Sequence, residues 1–150
     1  MNSAIEQGLV SRLTTVVSAV TPAVAVLPGT SGGTIPNSQP SIIAVMELPH
    51  TAGKLYLGNE RIVISTPAKI DGCTLTTHRA LVKLIREALA WDDDDAAAST
   101  KDTALDTAVF AASNFHTRGF FFVTARDAQS DEMWQTTLEI TRGLEGPLAS

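Results

Sequence analysis

Three groups of residues in this chain have types and spacings that chemistry could use. Gly29, Thr30, Ser31, Gly32, Gly33 and Thr34 could turn backbone N–H groups toward a phosphate. A phosphate-cradling loop also needs a lysine and a hydroxyl after its last glycine, with a helix to follow, and Ile35, Pro36 and Asn37 stand there instead. The run therefore reads as a surface loop. His50, His78 and His116 lie far apart, and none belongs to a paired metal-ligand spacing. The spacing predicts no metal site, and His78 reads as a polar residue in the first turn of a helix. Asp92, Asp93, Asp94 and Asp95 could attract a hard cation, but a calcium loop alternates its ligands with other residues and turns on a glycine. These four read as a solvated acidic turn. No serine lies in the strand, turn and helix setting of a nucleophile elbow, so the sequence predicts neither catalysis nor a cofactor.

Two single residues complete the chemical inventory. Cys73 is the only cysteine, so it has no partner for an intramolecular disulfide and reads as a buried structural thiol. A reducing compartment, or indifference to redox state, follows. Trp134 offers a stacking platform, but a tryptophan on an alternating strand is more simply a core anchor.

The 150 residues suit one domain, long enough to bury about two-thirds of the unfolded surface around a single core. With 44% hydrophobic and 18% charged residues the composition is globular, and a net charge of −5 argues against a general nucleic-acid binder. No apolar run approaches the roughly 20 residues a membrane span needs, and the first residues lack a basic region followed by an apolar core. The expected location is cytoplasmic.

The elements that must position these residues follow from periodicity. Ser3 and Glu6 have capping-box spacing, and Ile5, Leu9, Leu13, Val16, Val17 and Val20 make the stripe of a helix ended by Thr21 and Pro22. Ala23 to Leu27 is a short strand, and 28–40, with three glycines and three prolines, a mobile loop. Ser41 to Leu48 is a strand apolar on both faces, and Asn59 to Thr66 alternates. A second helix runs from Thr76 to Trp91 with Leu81, Leu84, Ile85, Ala88 and Leu89 inward, and Ala104 to Ala112 forms a short third. Phe115 to Thr141 is a hairpin turning at Asp127 to Asp131. Its first arm carries Phe120, Phe121, Phe122 and Val123 in one apolar run; its second alternates, with Trp134, Thr136, Leu138 and Ile140 on one face. Residues 143–150 read as a loose tail. The expected fold is α+β: a mostly antiparallel sheet of four or five strands with two long helices packed on one face.

This order of elements resembles the tail terminator proteins of long-tailed bacteriophages and their neck-protein relatives. The matching features are the opening helix Ile5 to Val20, the strands Ser41 to Leu48 and Arg61 to Thr66, the helix with His78, Arg79, Ala80, Leu81, Arg86, Glu87, Ala88 and Leu89, and the hairpin with Asp131, Met133, Trp134 and Leu138. The resemblance implies a virion structural protein without catalysis. It implies a ring of self-associated subunits, commonly a hexamer, assembled in the host cytoplasm and built into the tail or neck. That ring would cap the tail tube, end its polymerisation and meet the head connector or stopper protein, with DNA passing through and not bound specifically. The acidic and alanine-rich segment Asp92 to Ala112 is longer than the resemblance implies.

Helices on one face of the sheet leave surplus apolar surface on the other, and a neighbouring subunit is its simplest cover. Ile42, Ala44, Met46, Phe120, Phe121 and Phe122 are the expected interface residues, and Asp92, Asp93, Asp94 and Asp95 the expected channel-facing ones, where like charge would discourage DNA from sticking. A head-completion or stopper role in the same neck is the alternative within this class. A small-molecule-binding α+β module using the Gly29 to Thr34 loop is the alternative from another.

Overall fold

Apolar spacing builds the elements, and a computed structural model, which describes residues 3–29, 35–36, 38–52, 55–92 and 94–146, gives their bounds. In chain order they are α1 (Ser3–Val16), β1 (Ala25–Pro28), β2 (Ser41–Ala52), β3 (Leu55–Pro67), α2 (Leu75–Leu89), α3 (Ala98–Ser113), β4 (His116–Gln129) and β5 (Met133–Glu145). Most of the expected 28–40 loop, including Thr30 to Thr34, lies outside the described residues, as do 147–150 of the expected tail.

The strands form one sheet in the order β1-β2-β3-β5-β4. β1 runs parallel to β2, and the other three pairings are antiparallel, so the sheet is mixed. Strand parity then sorts the side chains. Ile42, Ala44 and Met46 of β2, Ile62 and Ile64 of β3, and Leu138, Ile140 and Leu144 of β5 share one face and one core with Ile5, Leu9 and Leu13 of α1 and Leu81, Ile85 and Leu89 of α2.

Among the described residues there are three long helices, not two. α3 has 16 residues and begins six before the expected start, because its first turns are alanine-rich and polar and only Leu105 and Val109 mark an inward stripe by burial. It packs chiefly on α1. That packing is close: a Cβ at Gly8 would lie 2.7 Å from Cα of Val109. Backbone cannot move aside as a side-chain tip can, so Gly8→Ala must push the helices apart despite alanine's better helix propensity. The expected cost is about 1–3 kcal/mol, read as a lower urea midpoint with unchanged slope.

Other boundaries moved for identifiable reasons. α2 starts at a capping box in which Thr74 and Thr77 exchange hydrogen bonds between side chain and backbone N–H. Leu84 sits on its flank, 37% exposed, while His78 takes an inward place. Glu6 is buried, and its Oε1 accepts from the Met46 N–H at 3.3 Å. β5 continues through Gly143 to Glu145 because the inward alternation that begins at Trp134 runs on through Arg142 and Leu144. The hairpin turn is correspondingly tighter, with Asp127 still in β4.

The β5 extension brings a buried ion pair into the core. Arg142 and Glu60 are each 1% exposed; Arg142 Nη2 donates to Glu60 Oε1 at 3.1 Å and to the Leu89 carbonyl at 2.6 Å, while its Nε donates to Glu60 Oε2. Leu89 is the last residue of α2, so the guanidinium satisfies a carbonyl that the helix leaves without an internal donor. Phe120, seated against Trp91 with ring centroids 4.8 Å apart, lies 5.3 Å from the same guanidinium.

Candidate functional site

β4 carries two irregularities, between Thr117 and Phe120 and between Phe122 and Thr124, where extra residues oppose the regular β5. Gly119 takes a positive φ of 111° in the first. Between them the three phenylalanines divide by parity. Phe120 and Phe122 turn to the core, Phe122 under the Arg86 guanidinium at 4.4 Å, while Phe121 points away and is 76% exposed.

This division revises the expected interface. Ile42, Ala44 and Met46 are fully buried beneath the helices, and Phe120 and Phe122 are partly buried there, so of the six residues only Phe121 offers its side chain to a neighbour. The surplus apolar face of β2 belongs to Ile43 and Val45, which are themselves nearly covered. On β3 the open face ends in Leu57 and Leu55, 41% and 42% exposed. Register sets Leu57 opposite Gly143 and Phe121 opposite Thr141, so these apolar side chains flank a stretch of β5 that carries little bulk. Around them run Arg118–Glu145 at 2.6 Å and Arg126–Glu139 at 2.7 Å.

The acidic run makes the connection between α2 and α3. Asp92 and Asp94 are exposed, and Asp93 lies outside the described residues. Asp95 pairs with Lys101 and accepts from the Ala97 N–H at 2.8 Å; the Lys101 hydrogen bond, then that of Ala97, holds its carboxyl below the usual range.

A different polar group, absent from the sequence reading, lies under the first turns of α2. His78 is 4% exposed, with Nδ1 2.8 Å from Thr66 Oγ1 and Nε2 2.9 Å from Thr136 Oγ1. Thr136 in turn donates to Asp127 Oδ1 at 2.7 Å. Burial pushes the imidazole below its ordinary value, Asp127 opposing and Arg79 adding to the effect. The group walls a cleft of about 380 Å³ that Leu75, Val82 and Trp134 also line. Trp134 is thus a half-buried cleft wall at the hairpin end, not the core anchor that alternation suggested. The available signal was the parity of Thr66 and Thr136, which face α2 from neighbouring strands.

His116 and Cys73 have structural roles, and the side chain of His50 lies outside the described residues. His116 pairs with Asp106 at 3.2 Å and stacks on Phe110, while Asp106 also accepts from the Thr117 N–H, tying α3 to β4. Cys73 is buried, and burial pushes its thiol up, away from the reactive thiolate. Among the described residues no three of His, Cys, Asp and Glu converge as metal ligands. None of the described helices is long and apolar enough to cross a membrane. Gly29, Thr30, Ser31, Gly32 and Gly33 have Gly-x-Ser-x-Gly spacing, and Thr30 to Gly33 lie outside the described residues.

No family model matches the chain, and no curated protein does. Among solved structures, a chain described as "Virion of native gene transfer agent (GTA) particle" matches with a TM-score of 0.57 and 14% sequence identity. The match covers 94% of each chain, so the two share a fold over most of their length.

Proposed function

We propose that this chain is a structural protein of a tailed, phage-like virion, working by assembly and not by catalysis. The observation that carries the reading is the fold shared over 94% of both chains with a component described as belonging to a gene transfer agent virion. The finer role we propose is that of a tail terminator: a ring that closes the finished tail tube and presents its other side to the head connector. The open end of the sheet supports self-association, because Leu55, Leu57 and Phe121 leave apolar surface that a second copy would remove from water. In such a ring the exposed Asp92 and Asp94 would face the channel and keep passing DNA from adhering.

Negative-stain imaging of the purified protein tests this directly. Closed rings of one symmetry, binding to tail-tube ends, are the expected result; a monomer at micromolar concentration would count against the ring. Rings that bind only the head side would favour a stopper or head-completion protein. The cleft beside Trp134 favours one further reading, a small-molecule-binding module, since about 380 Å³ lies in the range of ligand sites. A ligand-library thermal-shift screen without a hit would remove that reading.

A further inference from the structure

With a neutral ring, the hydrogen bonds around His78 have only one consistent direction. An ionised carboxylate only accepts, so the single hydroxyl proton of Thr136 is committed to Asp127. Thr136 Oγ1 can then meet His78 Nε2 only as an acceptor, which puts the imidazole proton on Nε2. A neutral ring protonated at Nε2 has a bare Nδ1, and Thr66 must donate to it. Protons therefore point from Thr66 to His78, from His78 to Thr136 and from Thr136 to Asp127. The chain joins α2 to β3, β5 and β4 through one buried ring.

We infer that His78 is an acid-sensitive latch, closed when its ring is neutral, that releases the first turns of α2 from the sheet when the ring takes a second proton. A proton added at Nδ1 faces the Thr66 hydroxyl proton, so the Thr66 contact must reverse. The new charge also sits in a buried place where β3 and β5 present only hydroxyls. Among the described residues the charges acting on the ring are Asp127 of β4, reached through Thr136, and Arg79 of α2, which repels it. Burial outweighs Asp127, so the folded ring resists protonation more than the unfolded one. The latch thus adds stability that is fully present above the unfolded value of 6.5 and is lost as pH falls toward the lower folded value. Opening would widen the cleft, whose α2 wall is Leu75, Arg79 and Val82. This holds whether or not the chain forms a ring.

Imidazole ¹⁵N spectra of the intact chain test the proton direction. The expected result at about pH 8 is a neutral ring carrying its proton on Nε2, with a titration midpoint below the ordinary histidine range. A proton on Nδ1, or an unshifted midpoint, would overturn the latch. Hydrogen exchange tests the release: protection of α2 amides from Thr77 to Leu81, corrected for intrinsic rates, should fall about tenfold more than that of α3 between about pH 7 and pH 5. His78→Gln keeps a donor and an acceptor but does not titrate, so this difference should vanish in it. Equal loss in both proteins would refute the mechanism, and the ¹⁵N result decides the question if the variant does not fold.

Discussion

Arg142→Met is expected to destabilise the protein by about 3–5 kcal/mol, the usual consequence of removing one partner from a buried ion pair. The loss has two parts. Glu60, 1% exposed, is left as a buried carboxylate without its guanidinium, and the Leu89 carbonyl at the end of α2 loses its donor. A thermodynamic cycle separates them. Glu60→Met alone should be costly because it strands the guanidinium, whereas the double replacement by Met should recover much of the charge penalty but not the helix-end bond. Chemical denaturation of the four proteins gives the coupling. A value below about 1 kcal/mol would mean that the pair is not the strong buried interaction its geometry indicates.

In the proposed ring, Phe121→Asp is expected to weaken self-association while leaving the fold intact. At 76% exposed, Phe121 has little to lose within its own subunit, so the stability of the isolated chain should change by less than about 1 kcal/mol. A central aromatic at an interface commonly contributes about 2 kcal/mol or more, and a buried charge in its place adds desolvation, so subunit affinity should fall roughly 30-fold or more. Sedimentation velocity over a concentration series measures this. Leu84→Asp, on the exposed flank of α2, is the control and should leave association unchanged. If Phe121→Asp assembles as the parent does, the open end of the sheet is not the contact.

The two variants mark the limits of reading the chain by pattern. The hairpin was legible because Trp134 to Thr141 alternates strictly, yet the same alternation, carried one residue on, placed Arg142 in the core. A charged residue at an inward position reads from sequence as the end of a strand. It continues the strand here because Glu60, 82 positions away, supplies the opposite charge. The three phenylalanines indicated rings on both faces, which the fold has, but apolar composition could not tell a side chain facing helices from one facing solvent. His78 was legible only as a helical residue. Its partners Thr66 and Thr136 come from strands whose neighbour relation depends on β5 inserting between β3 and β4.

By itself, then, the sequence determined what local physics controls: the amphipathic stripe of α1, the alternation of β3 and β5, the central character of β2 and the exposure of Asp92 and Asp94. Each follows from spacing along a few neighbouring residues, where side-chain direction repeats every 2 or every 3.6 positions. Tertiary structure alone decided which face of the sheet the helices cover, and so that Ile42, Ala44 and Met46 are core while Phe121 is surface. It also decided that Gly8 is where α1 meets α3, and that Arg142 and His78 are buried with partners. Those outcomes depend on strand order and helix placement, which bring together residues far apart in the chain and leave no periodic trace in it.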